Sequence, residues 1–122
     1  MAWIYHQTDG AIYHDNSLVG HGYSGAGHSK ATGRNNPSME MLTNKGPIPQ
    51  GRWRIGPSRP GGHLGPLVMD LVPVGHVAYY RDLFRIHGNN PKNDASNGCI
   101  ILPPHIRIQI AASEDRMLQV VP

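Results

Sequence analysis

The stretch FRIHGNNPKNDASNGCIILPP, residues 84–104, carries its own punctuation. FRI alternates and ends at His87-Gly88, which reads as a strand arriving at a loop. NNPKNDASNG is polar and rich in turn residues, so it reads as that loop. CIIL is a short apolar strand or buried turn. Pro103 and Pro104 then open a helix, because a proline is tolerated in a first turn. The same stretch holds the only cysteine, Cys99, with His87 twelve positions before it. Neighbouring strand ends that meet across such a loop bring the two to one mouth.

Working outward, the first 25 residues read as a β-meander. WIYHQ, AIYH and SLVGHGY are separated by TDG and DN, and Asp9-Gly10 supplies the positive φ of a tight turn. Ser24 to Gly51 is long, polar and rich in Gly, Asn and Pro. A short helix is expected at PSMEMLTN with Pro37 in its first turn. A connection this long is functional or mobile, and a lid or wall of a cleft is the expectation. GRWRIG and LGPLVMDLVPV read as strands, with Pro66 and Pro73 marking ends or edges. PPHIRIQIAASEDR reads as the main helix, with Ile106, Ile110 and Met117 on its apolar face, and MLQVV as a last strand. The sum is a mostly β single domain over residues 1–122 with one or two short helices.

Fifteen glycines and eleven prolines predict many turns and short elements. Charged residues make up 16%, with no block of one sign, which argues against a disordered tail. The net charge of +3 is mild, and no basic helix or aromatic-basic ladder supports nucleic-acid binding. The same charge fits attraction to an anionic polymer. MAWIYHQTDG has neither the basic start nor the apolar run of a signal peptide. No stretch approaches the roughly 20 apolar residues of a membrane span, so membrane insertion is not expected. One cysteine makes no internal disulfide.

Cys99 admits three readings. A free cysteine is commonly a small buried hydrophobe. It becomes a nucleophile where a base or positive field takes its proton, and histidine, with a pKa near 6.5, is the usual base. The residues around it suit the second reading. Gly98 permits close approach to a substrate, and the N–H groups of Gly98 and Cys99 are placed to meet a developing oxyanion. Ser96 is placed to bond the turn or the substrate. Thirdly, His87, Cys99 and His105 form a candidate zinc set, but the paired spacings of a structural site, CxxC or HxxxH, are missing. No metal is therefore assigned. His21 and His28 flank the glycine-rich loop, and the remaining histidines are scattered.

IHGNNPKNDASNGCI resembles the active-site signature of the L,D-transpeptidase (YkuD-type) catalytic domain: His-Gly, a variable loop, Ser-x-Gly-Cys and an aliphatic residue. With GYSGAG at 22–27, NNPSME at 35–40, GPIPQGRWRIG at 46–56 and FRIHG at 84–88, residues 20–103 look like the small type VI secretion effectors of that type. Those effectors are antibacterial toxins. The resemblance implies a mostly β sandwich or barrel. It implies Cys99 as the nucleophile, His87 as base and then acid, and the Gly88 backbone carbonyl as third member of the triad. It further implies an oxyanion hole at Gly98 and Cys99, with Ser96 and Asn97 in support. Tyr23 and Asn35 are candidate substrate contacts. The implied substrates are peptidoglycan stem peptides, and no cofactor is implied. The implied reactions are release of D-alanine from tetrapeptides (L,D-carboxypeptidase action) and exchange for a free D-amino acid. The expected partners are a cognate immunity protein and type VI secretion components. Secretion without a signal peptide and action in the periplasm of a target bacterium complete the expectation.

Many members of the wider family carry His between Ser and Gly, and Arg or Asn two residues after Cys, where this chain has Asn97 and Ile101. The His-to-Cys loop is also short. Both features turn the expectation away from cross-linking to an acceptor peptide. Two other functions fit the bare residues: a general cysteine peptidase or amidase, and a non-catalytic cell-wall-binding module with a structural cysteine.

Overall fold

The sequence puts three short β-formers at the N-terminus, and their turns decide how they pair. In the computed structural model, which describes residues 2–122, β1 (Trp3–His6), β2 (Ala11–His14) and β3 (Ser17–His21) form the antiparallel meander. Gly10 takes φ 73°, as the turn reading requires. Asp15 and Asn16 take φ 52° and 66°, the two left-handed residues of a tight hairpin whose twist matches its strands. The next strands are β4 (Tyr23–Ser24), β5 (Gly51–Arg59), β6 (Val68–Val74), β7 (Arg85–His87) and β8 (Ile100–Ile101). Helix α1 (Pro104–Ala112) and β9 (Met117–Val121) complete the chain.

All nine strands belong to one sheet, in the order β3-β2-β1-β9-β5-β6-β7-β8-β4. β1 with β9 and β7 with β8 are parallel, and the other pairs are antiparallel. β3 and β4 stand at opposite ends of that order, yet only Gly22 separates them in the chain. A sheet whose two ends are one residue apart must roll up, so the result is a nearly closed barrel. By its sequence SLVGHGY reads as one strand. The structure breaks it at Gly22, where a Cβ would lie 1.8 Å from the Ile101 carbonyl oxygen. No other residue fits that corner.

The mostly β expectation is met. The core is Trp53, Tyr5, Ile12, Ile48, Met69, Ile86, Ile100 and Leu118 from strands and loop, with Ile106 and Ile110 of α1 packed against them. Helix α1 is shorter than its sequence pattern, and Met117 opens β9 instead of extending the helix face. Pro103 is the N-cap and Pro104 the first helical residue. Pro73 lies inside β6. On β6, β7 pairs only with Met69 and Asp70, so Pro73 occupies a stretch with β5 as its one neighbour, where a missing N–H breaks no ladder on the open side.

The 24–51 segment is a wall, not a free loop. PSMEMLTN gives only one 3-10 turn, Pro37–Met39, capped by the Asn36 side chain. Gly46 to Pro49 are buried, and Ile48 enters the core. Glu40 anchors the wall, accepting from Gln7 Nε2 at 2.8 Å, the Gln50 amide at 3.1 Å and the Tyr79 hydroxyl at 2.7 Å. Among the described residues, no helix is long and apolar enough to cross a membrane.

Candidate active site

Parallel pairing of β7 with β8 decides where His87 and Cys99 stand. Ile86 lies opposite Ile100 and His87 opposite Ile101, and Cys99 immediately precedes β8. From strand rise and spacing, the His87 and Cys99 backbones are about 8 Å apart. Ile86 and Ile100 point into the core and hold the ribbon. Cys99 lines a cavity of about 340 Å³ together with Asn97, Gly98, Arg85 and Thr43.

His87 is only 3% exposed. Its Nδ1 lies 2.8 Å from the Gly88 carbonyl oxygen. A carbonyl can only accept, so Nδ1 carries the hydrogen and the neutral ring keeps its lone pair on Nε2. Burial pushes the His87 pKa down. The Gly88 bond opposes that shift, while the charges of Arg85 and Arg107 and the neighbouring His63 reinforce it. Burial pushes the Cys99 thiol up, and the opposing pull of Arg85 and Arg81 does not cancel it. At neutral pH both groups are therefore uncharged. The thiol's hydrogen bond goes to the Leu83 carbonyl at 3.5 Å rather than to His87. Leu83 sits at φ 62°, in a loop where Ala78, Tyr79 and Tyr80 also have positive φ, from 49° to 57°. Such strained backbone persists only where its surroundings over-determine it.

The turn before Cys99 is built around one hydroxyl. Ser96 is 1% exposed. Its Oγ donates to the Cys99 carbonyl at 2.7 Å and accepts from the amides of Gly98 at 3.0 Å and Gly25 at 2.9 Å. The Gly98 amide, expected at an oxyanion hole, is thus donated to Ser96. Gly98 has φ 138°, and a Cβ there would lie 2.6 Å from Arg81 Nη2. Asn97 is exposed at the cavity, and its carbonyl accepts from Arg81 at 3.3 Å.

Tyr23 and Asn35, the candidate substrate contacts, are taken up by internal bonds. The Tyr23 hydroxyl donates to Asn89 Oδ1 at 2.6 Å and accepts from the Ala95 amide at 2.8 Å, which pins both ends of the His-to-Cys loop. Its ring does line a second cavity beside the first. Asn35, at φ 55°, exchanges bonds with Ser24, its amide donating to the Ser24 carbonyl at 2.8 Å. Among the described residues, no group of three or more His, Cys, Asp or Glu side chains is arranged to hold a metal ion, and His105 is exposed on α1.

Two residues that sequence reasoning missed complete the site. Ser24 Oγ donates to the Gly98 carbonyl at 2.9 Å and accepts from the Ile48 amide at 2.8 Å, joining wall, core and turn. It lies inside GYSGAG, a stretch that carries the family resemblance without signalling this hydroxyl's role. Arg81 is buried and donates to the carbonyls of Pro47 at 2.9 Å, Gly46 at 3.0 Å, Asn97 and Glu40. Nothing in YYRDLF signals that clamp.

A family model described as the Tlde1 domain matches residues 19–121. The chain belongs to the Tlde1 family. Comparison with curated proteins and with solved structures finds no significant match. Tlde1 membership points to a type VI secretion effector of the L,D-transpeptidase kind, an enzyme acting on peptidoglycan. The Tlde1 span takes in His87, Cys99 and the whole bracing network of the turn, and leaves β1 and β2 outside it.

Proposed function

We propose that this domain is a cysteine L,D-carboxypeptidase and D-amino acid exchange enzyme of YkuD type, acting on peptidoglycan tetrapeptides as an antibacterial toxin. The observation that carries the reading is the His87 Nδ1 bond to the Gly88 carbonyl, on a strand paired with the one that Cys99 immediately precedes. That bond leaves Nε2 as the basic nitrogen of a neutral ring.

The resting pair is uncharged, so proton transfer accompanies attack. Nε2 of His87 takes the thiol proton as Sγ bonds to the carbonyl carbon of the third stem residue. The Leu83 carbonyl releases the thiol at this step. The Cys99 amide meets the developing oxyanion, and the Gly98 amide joins it by giving up its bond to Ser96. The imidazolium, held by Gly88, then protonates the departing amine of D-alanine, and the thioester remains. Water resolves it to a tripeptide, and a free D-amino acid resolves it to an exchanged tetrapeptide. The exposed Asn97 and the buried Ile101 offer little for gripping a second stem, which favours these small acceptors over cross-linking.

Delivery into the periplasm of a target cell, by type VI secretion components and opposed by a cognate immunity protein, follows from the same reading. The test is incubation of a purified tetrapeptide with and without added D-methionine, followed by mass analysis. Tripeptide and D-methionine-capped tetrapeptide are expected. Cleavage of ordinary L,L-peptides with no change in the tetrapeptide would overturn the reading.

A further inference from the structure

Beside the Cys99 cavity lies a larger one of about 610 Å³, and the two share His63 and Leu64. The larger cavity follows the same ribbon toward its far end, past Gly88 and Leu102. Its lining includes Arg34, Arg107 and His21 but no Asp or Glu.

Arg107 is 6% exposed. Nε donates to the Leu102 carbonyl at 3.0 Å and Nη1 to the Leu67 carbonyl at 3.0 Å. Among the described residues, Nη2 has no hydrogen-bond partner and Arg107 has no carboxylate partner. Nη2 lies against Gly88, where a Cβ would be 2.8 Å from it. A guanidinium stays charged inside a protein, and a charge drawn out of water without a counter-ion favours binding an anion. Arg34 is held in the same manner, by orientation and not by neutralisation. Its Cζ sits 3.5 Å over the Tyr23 ring, and its Nη1 donates to the Asn93 carbonyl at 2.9 Å and the Gly27 carbonyl at 3.5 Å. Pro103 and Pro104, at the positive end of α1, line the same cavity.

We propose that this cavity is a carboxylate-binding subsite for the peptide substrate, with Arg107 Nη2 as its main donor and Arg34 as the second. The inference rests on the preceding reading, in which Cys99 receives the acyl donor. Leu102 lies three residues beyond Cys99, about 10 Å along the strand. The carboxylate of the departing D-alanine is only about 4 Å from the carbon under attack, too near to reach the subsite. The free carboxylates on the donor side, on D-isoglutamate or the diaminopimelate side chain, extend about 8 Å from that carbon and do reach it. An extended stem laid along β7 and β8 thus presents its scissile carbonyl to one cavity and a carboxylate to the other.

The test is calorimetric binding of tetrapeptide to the Cys99→Ala protein, which separates binding from turnover. Three peptides are compared: the free acid, the isoglutamate amide and the diaminopimelate amide. A charge-assisted hydrogen bond predicts that one amide raises Kd by about 10-fold or more, and the amide that does so identifies the carboxylate. Arg107→Gln in the same background is expected to raise Kd for the free acid similarly, with no further loss on amidation. Arg34→Gln gives a smaller increase. The amide comparison alters no protein residue, so it holds even where Arg107→Gln fails to fold. Equal Kd for all three peptides, no binding of the free acid at millimolar concentration, or an undiminished response to amidation in a folded Arg107→Gln protein would overturn the subsite. Carboxylate-dependent binding without turnover by the unsubstituted protein would leave the subsite standing and remove the catalytic reading.

Discussion

Replacing Ser96 by Ala removes one oxygen and strands three backbone groups. The Gly25 and Gly98 amides lose their acceptor and the Cys99 carbonyl loses a donor. Gly25 and Gly98 are buried, so water does not substitute freely at either amide. An unmet buried donor costs about 1–3 kcal/mol, and two of them put the loss near 3 kcal/mol. That is a large part of the 5–15 kcal/mol typical of a whole domain. Urea unfolding followed by tryptophan fluorescence measures it directly. With a slope of about 1.5 kcal/mol/M, the midpoint falls by about 2 M at unchanged slope. Ser58→Ala, on the exposed part of β5, is the control and shifts the midpoint little. Ser24 braces Gly98 from its carbonyl side, so Ser24→Ala costs about 2 kcal/mol. The double variant costs less than the sum, because both hydroxyls hold the same turn. A Ser96→Ala midpoint within 0.5 M of the parent, roughly 0.7 kcal/mol on that slope, would refute the claim that this hydroxyl organises the turn.

Other consequences follow from the same contacts. Gly22→Ala drives a Cβ into the Ile101 carbonyl and is expected to cost about 3 kcal/mol or more, read as a lowered Tm; a Tm within two degrees of the parent would contradict the closure argument. Burial pushes the Glu40 carboxyl up, but the bonds from Tyr79, Gln7 and Gln50 outweigh it and hold its pKa below the ordinary 4.5. Its contribution is then complete above that value and lost as pH falls through the lower folded one, so Glu40→Gln should cost about 2 kcal/mol at pH 7 and flatten the acid side of the stability curve. A parallel curve would show that Glu40 is not the titrating anchor. Because burial raises the Cys99 thiol above its ordinary value, iodoacetamide labelling should keep climbing into the alkaline range without a plateau near neutrality; a plateau reached at neutral pH would mean a preformed thiolate.

Much of this architecture was written in short patterns. The meander, its two turns and the last strand follow from alternation and from Asp-Gly and Asp-Asn, which are local signals. What local signals do not carry is a strand's place in the sheet. Gly22 looks like one more residue of SLVGHGY, and only the clash with Ile101, 79 positions away, makes it the seam of a barrel. Met117 fits a helical period, but β9 pairs it with Arg54 and that long-range ladder prevails. In the site, His87 and Cys99 are legible from the strand–loop–strand pattern and Ser96 from its place in the turn, whereas the Gly88 carbonyl enters only through the family resemblance. Arg81, Arg107 and Ser24 are not legible, since each acts through carbonyls and amides distant in sequence that leave no residue-type signature. Tyr23 is a candidate contact by position, but its hydroxyl is spent on holding the loop.

The central claim is that Cys99 becomes covalently acylated. Mixing the protein with tetrapeptide, quenching in acid within milliseconds and measuring the mass of the intact protein and of its proteolytic peptides tests it. The predicted result is an adduct of tetrapeptide minus D-alanine on the peptide containing Cys99, matched by D-alanine release and abolished in Cys99→Ala. Release of D-alanine by Cys99→Ala at the parent rate would contradict it.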